Sequence, residues 1–248
     1  MKKTNFSVTV CPTRKEMGVA AAQAAVSTIR AVLAEKETAN VIFAAAPSQN
    51  EMLAALLASD LDFSRIHAFH MDEYLGLSIA NEQSFARYLT DHIFGRANFR
   101  SVHLIPATLP EAEACAAYTA LLKAYPVDVV CLGIGENGHV AFNDPPVADF
   151  ADLAMIKAVE LDDVCRMQQV HDGCFPTFDD VPKKALTLTV PALMAARSLI
   201  CTVPGSAKAE AVRKLIYGAI GTACPATAMR LHGDAQVFLD ADSASLLK

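Results

Sequence analysis

The sequence is informative first through what it lacks. It contains no Cys-x-x-Cys pair, no stripe of Lys and Arg, and no uninterrupted apolar run approaching the ~18 residues that span a bilayer. Seven cysteines, at 11, 115, 131, 165, 174, 201 and 224, are an odd number without regular close spacing, so neither a zinc ribbon nor a redox dithiol is indicated. Cys131 and Cys201 fall inside apolar strand-like runs, where a cysteine behaves as a small hydrophobe, and reduced structural thiols are expected. Twenty-one Lys and Arg against 27 Asp and Glu leave a net charge of −6, which argues against nucleic acid as a partner. Met1-Lys2-Lys3-Thr4-Asn5 is basic but leads into an alternating, strand-like segment rather than a signal-peptide core, giving the expectation of a cytoplasmic protein with no membrane partner. With no internal repeat, low-complexity tract or linker-like composition shift, residues 1–248 read as one domain.

What is present supports a large core: 53% of residues are hydrophobic, and the mean hydropathy is +0.28. That fraction is also compatible with a buried interface in a homo-oligomer. Strand-like segments at 6–10, 40–45, 66–71, 102–105, 127–132, 155–161, 185–190, 198–203 and 235–239 alternate with helical patterns at 13–36, 51–57, 84–94, 110–125, 208–216 and 226–231. Thr13 reads as a helix cap, and Ser48 with Glu51 as a capping box opening the second helix. Repeated βαβ units predict an α/β fold, a Rossmann-like three-layer αβα sandwich around a mostly parallel sheet. In such a sheet, ligands sit beyond the carboxyl ends of the strands.

Three strand ends carry groups suited to chemistry. Asp72-Glu73 follows the third strand, the loop Leu132–Pro146 delivers glycines and His139, and Lys208 stands at a helix start, where its charge opposes the helix dipole and suits an anion. Each has a plain structural reading beside the functional one: Asp72 as a turn cap, His139 as a hydrogen-bonded buried histidine, and Lys208 as a solvated charge. The glycine-rich loop does not carry the full dinucleotide fingerprint, glycines together with a downstream ribose-binding acid, so NAD is not expected. His67 and His70 fall on opposite faces of one strand, so no zinc site is expected and the pair reads as packing.

His70-Met71-Asp72-Glu73-Tyr74-Leu75-Gly76-Leu77, Gly133-Ile134-Gly135-Glu136-Asn137-Gly138-His139-Val140-Ala141-Phe142-Asn143-Asp144-Pro145 and Pro204-Gly205-Ser206-Ala207-Lys208-Ala209 resemble three signature segments of the glucosamine-6-phosphate deaminase/isomerase family. Val181–Thr187 and Leu231-His232 match in order, so the resemblance covers nearly the whole chain. It implies a cofactor-free and metal-free aldose–ketose conversion of a hexosamine 6-phosphate, either glucosamine or galactosamine, by ring opening and C2–C1 proton transfer. His139 would open the ring and Asp72 would move the proton, with Asp144 orienting the histidine. Lys208 would anchor the phosphate, and Glu73 and Gly138 fall within the same substrate-contacting segments.

The resemblance also implies four departures. The residue before Gly138-His139 is Asn137, where the family has Asp; the family's Glu is the shorter Asp144; and its glycine-rich phosphate loop is replaced by Ala44–Asn50, leaving Ser48, Gln49 and backbone N–H groups for a phosphate. The phosphate-contacting Arg has no aligned counterpart. Arg166 is offset in Arg166–Phe175, and either it or Gln168 and Gln169 would replace it. A sugar-lactone hydrolase of the 6-phosphogluconolactonase type, with His139 activating water, is the second enzymatic reading, and a non-catalytic sugar-phosphate sensor the third.

Overall fold

The central strands are apolar and buried along their length, and successive residues feed two separate cores. Val41 and Phe43 belong to one cluster and Ile42 and Ala44 to the other; Val129 and Cys131 are split from Val130 and Leu132 in the same way. A strand buried on both faces must lie between two helical layers. The computed structural model, which describes residues 4–171 and 173–248 without the side chains of Val164, Cys165 and Gln168, has that three-layer αβα arrangement.

The chain runs β1 (Phe6–Cys11), α1 (Arg14–Glu35), β2 (Ala39–Phe43), α2 (Asn50–Leu57), β3 (Ile66–His70), β4 (Asp72–Tyr74) and α3 (Phe85–Leu89). There follow β5 (Ser101–His103), α4 (Glu111–Ala124), β6 (Val129–Leu132), β7 (Ile156–Glu160), α5 (Asp163–His171), β8 (Lys184–Leu188) and α6 (Val190–Met194). The chain closes with β9 (Ser198–Val203), α7 (Ala209–Tyr217) and β10 (Ala235–Asp240). Seven strands form a parallel sheet in the order β1-β10-β9-β6-β2-β3-β5. Strand order grows outward from β2 in one direction, through β3 and β5, and then in the other, through β6, β9 and β10. The crossing between β2 and β6 is therefore the switch point, where adjacent loops diverge and leave a crevice.

Three elements differ from the sequence reading. Asp72–Tyr74 does not end β3: it breaks away as β4 and pairs antiparallel with β8, which pairs antiparallel with β7. Two strands expected in the main sheet, β7 and β8, thus join β4 in a second, small sheet. The polar stretch 162–184 contains α5. The capping box is absent: α2 is entered through a turn of 3₁₀ helix at Pro47–Gln49 without a side-chain cap, and Glu51 instead pairs with Arg14 across the α1–α2 contact at 2.8 Å.

Thr13 does cap α1, its hydroxyl accepting from the Glu16 N–H at 3.2 Å. Among the described residues α1 is the one helix long and apolar enough to cross a membrane by length and composition, although Gln23, Ser27, Thr28 and Arg30 interrupt its apolar run. Here Met17, Ala21, Ala25 and Ile29, one helical face, are buried in the core.

Candidate active site

Four strand ends converge on one cavity of ≈ 210 Å³. Its wall takes Ala44–Ser48 from the end of β2, Met71 and Asp72 from the β3–β4 junction, Gly133–Glu136, His139, Ala141 and Phe142 from the loop after β6, and Pro204, Ala207 and Lys208 from the turn after β9. These are the loops on either side of the switch point. At Gly133 they crowd so closely that a Cβ would lie 2.9 Å from Gln49 Nε2, 3.2 Å from Ser48 Oγ and 3.4 Å from the Thr202 carbonyl.

The loop after β6 is built to hold one imidazole. A Cβ on Gly135 would stand 2.1–2.4 Å from three ring atoms of His139, so only glycine lets the ring lie there. Gly138 turns at φ 89° over Cys224, whose Sγ would be 2.5 Å from any Cβ. Ala141, on the cavity wall, is held at φ 50°, a conformation costing about 1–3 kcal/mol that the surroundings must impose. They do so through Asn143, fully buried, whose amide donates to the carbonyls of Val140 at 2.9 Å and Leu188 at 2.8 Å, and through the Phe142 N–H, which donates to Thr187 Oγ1 at 3.1 Å. Gly133, Gly135 and Gly138 do have Gly-x-Gly-x-x-Gly spacing, but no helix follows, so the arrangement is not a dinucleotide turn.

His139 Nδ1 lies 2.9 Å from Asp144 Oδ1 and 2.9 Å from Asn137 Oδ1. Asn137 also donates to Asp144 Oδ1 at 2.7 Å and accepts the His139 N–H at 2.9 Å. Both neighbours of Nδ1 are acceptors, so Nδ1 carries a proton in either charge state and Nε2 is the nitrogen left to exchange one. Asp144 reaches the ring despite its shorter side chain, and the Asn137 amide secures ring, loop backbone and carboxylate together.

Asp72 is 7% exposed and is pushed well above the usual carboxylate range, by burial first and by neighbouring Glu73 second. A carboxyl with its pKa raised in a cleft is suited to taking and returning a proton near neutrality. His70 fixes the β3–β4 junction from behind: its Nε2 accepts the Ile105 N–H at 2.7 Å, and burial lowers its pKa to about 3, keeping it neutral. His67 bonds Ser101 Oγ at 2.7 Å, away from the cavity, and among the described residues no group of three or more His, Cys, Asp or Glu is placed to hold a metal.

Residues 12–238 match the family model described as glucosamine-6-phosphate isomerases/6-phosphogluconolactonase. The chain belongs to this glucosamine-6-phosphate isomerase/6-phosphogluconolactonase family. It is 33% identical over 199 residues to a glucosamine-6-phosphate deaminase of Lactobacillus delbrueckii subsp. bulgaricus, covering 80% of this chain and 83% of the relative. To the glucosamine-6-phosphate deaminase of Bacillus thuringiensis it is 30% identical over 226 residues, 91% of this chain and 84% of the relative. The solved structure of a monomeric glucosamine-6-phosphate deaminase superposes with a TM-score of 0.88 at 31% identity, over 97% of this chain and 99% of that one. A 6-phosphogluconolactonase from Thermotoga maritima superposes with a TM-score of 0.78 at 20% identity, over 95% and 100%, a likeness of fold alone.

Of the residues singled out from the family's segments, Asp72, His139, Lys208 and Ser48 line the cavity, and Asn137 and Asp144 stand directly behind His139. Others do not reach it. Glu73 is buried as a cap, accepting from the N–H groups of Tyr74, Phe85 and Ala86 at 2.9, 3.0 and 2.8 Å, so it places α3 and the cavity residue Phe85 rather than substrate. Gln49 lies beneath the wall, donating to Ser48 Oγ at 3.1 Å, and Gly138 serves the turn.

Arg166 is also misplaced by the sequence reading. Its guanidinium is spent on the carbonyls of Phe178 at 2.8 Å and Val181 at 3.0 Å and stacks on the Phe178 ring at 3.9 Å. Gln169 does line the cavity, while the side chain of Gln168 lies outside the described residues. The residues not foreseen are Arg14, Glu136, Phe85 and Cys174. Phe85 opens α3 beside Ser84, whose hydroxyl accepts the Arg87 N–H at 3.0 Å, and Arg14 opens α1; neither carried a local signal for the cavity.

Proposed function

We propose that the chain is a hexosamine-6-phosphate deaminase that converts an aldose 6-phosphate bearing a 2-amino group into the ketose 6-phosphate and ammonia. The observation that carries this is the meeting, in one cavity, of a buried carboxyl of raised pKa, Asp72, with an imidazole whose Nε2 is left to exchange a proton, His139. In this reading His139, steadied by Asp144 and Asn137, passes a proton to the ring oxygen as the pyranose opens and takes the anomeric hydroxyl's proton, which it returns to O1 as the enol-amine forms. Asp72 takes the C2 proton and returns it at C1, through an enol-amine that becomes a ketimine. One water then adds to the ketimine carbon and ammonia leaves. The reaction consumes that water, which is the sense in which the enzyme is a hydrolase.

Lys208 and Ser48 hold the phosphate at the two turns that open toward the cavity. The reading treats residues 1–248 as one domain, because the cavity draws on residues from Arg14 to Lys208. Identities of 30–33% with glucosamine-6-phosphate deaminases support it over the lactonase reading, whose structural relative shares 20%. The test is a panel of glucosamine 6-phosphate, galactosamine 6-phosphate and 6-phosphogluconolactone, with ammonia, ketose and acid release all read out. Acid release from the lactone alone would overturn the proposal.

A further inference from the structure

The cavity wall carries basic side chains from two distant parts of the chain: Lys208 follows β9, and Arg14 opens α1. Arg14 is fastened from behind. Its Nε donates to Glu51 Oε1 at 2.8 Å, and its Nη2 donates to the Pro47 carbonyl. Both partners belong to the turn and helix after β2, and residues 44–48 of that turn line the cavity too. Glu51 cannot drift away, because α1 and α2 touch at Gly18, where a Cβ would lie 2.3 Å from Glu51 Cβ. Among the described residues Nη1 has no protein acceptor, and the side chain is 42% exposed.

A guanidinium held by a carboxylate and a carbonyl through Nε and Nη2, on the wall of a cavity that Lys208 and Ser48 also line, is preorganised for an anion. We propose that Arg14 is a specificity-determining residue that binds the substrate's phosphate together with Lys208 and Ser48. The inference rests on the sugar-phosphate reading above and names the residue that selects a dianionic phosphomonoester over an unphosphorylated sugar. It relocates the second phosphate cation from the α5 region, where Arg166 is engaged with Phe178 and Val181, to the start of α1.

The experiment is calorimetric titration of the full chain with inorganic phosphate, with steady-state kinetics on glucosamine 6-phosphate run in parallel on wild type, R14Q and R14K. Loss of one charge-assisted contact is expected to weaken phosphate binding about ten- to a hundredfold in R14Q, with partial recovery in R14K. KM should rise in step while kcat changes less than about threefold, the signature of binding lost equally from ground and transition states. Equal phosphate affinity in wild type and R14Q, or a wild type that binds no phosphate, overturns the proposal. A fall in kcat and melting temperature at unchanged phosphate affinity also overturns it, because Arg14 then only joins α1 to α2. Should no hexosamine phosphate be turned over, the deaminase reading fails, and the calorimetric arm still decides the role of Arg14.

Discussion

At the scale of single residues, the site divides into groups that touch the cavity and groups that aim them. Asp72 is of the first kind, so D72N should lower kcat about 10²- to 10⁴-fold while sugar-phosphate affinity, read by calorimetry, stays within a few-fold. Retained turnover would remove Asp72 from the reaction. Asn137 is of the second kind. N137A removes the amide that joins His139 Nδ1 to Asp144, so kcat should fall about tenfold or more while sugar-phosphate affinity, read by calorimetry, stays within a few-fold, and an unchanged kcat would mean that Asn137 does not aim the ring. Asp72, His139 and Lys208 were legible because each stands at the end of an apolar run, where a parallel sheet exposes its ligand-binding edge. Arg14 was not, because its place depends on α1 packing against α2 through Gly18, a contact that has no local sequence signal.

At the scale of elements, short polar patterns misled where long apolar ones did not. The Ser48–Glu51 pattern fits a capping box, but Arg14 competes for the Glu51 carboxylate and wins it. Glu73 read as a substrate contact because it falls within a family segment, yet it is buried and accepts two N–H groups at the start of α3 and a third from Tyr74. β7 and β8 carry the apolar content of sheet strands, yet they pair with the polar β4, Asp72-Glu73-Tyr74, in a separate sheet.

The Glu73 cap has a consequence for stability. Burial outweighs its hydrogen bonds and raises its pKa from 4.5 to about 7. The unfolded chain therefore releases this proton at lower pH than the folded one, and stability falls as pH rises from about 4.5 through about 7. The full shift corresponds to no more than about 3 kcal/mol, and Asp72, raised in the same direction, adds to the trend. Melting temperature should fall by several degrees between pH 5 and pH 8, and the slope should flatten in E73Q; equal slopes would assign the trend to other groups.

At the scale of the whole molecule, the cavity is where the two directions of sheet growth part, and its walls come from loops far apart in sequence. The alternation of apolar strand segments with long helical ones made the three layers legible, but the order in which strands fill the sheet was not written in any one segment. A ligand that contacts the loops after β2, β3, β6 and β9 together binds only the folded chain, so its binding energy adds to global stability. The D72N variant allows this to be measured without turnover. At a hundred times the dissociation constant, glucosamine 6-phosphate should stabilise D72N by about 2.7 kcal/mol, a rise of roughly 5–10 °C in melting temperature for a chain of this size. Glucosamine at the same concentration should give a much smaller rise, since it lacks the phosphate that Lys208 and Ser48 are proposed to hold. D72N carrying K208M in addition should lose most of the sugar-phosphate effect. Equal shifts from the two sugars would mean that the turns after β2 and β9 do not bind phosphate, and would leave the cavity to another class of ligand.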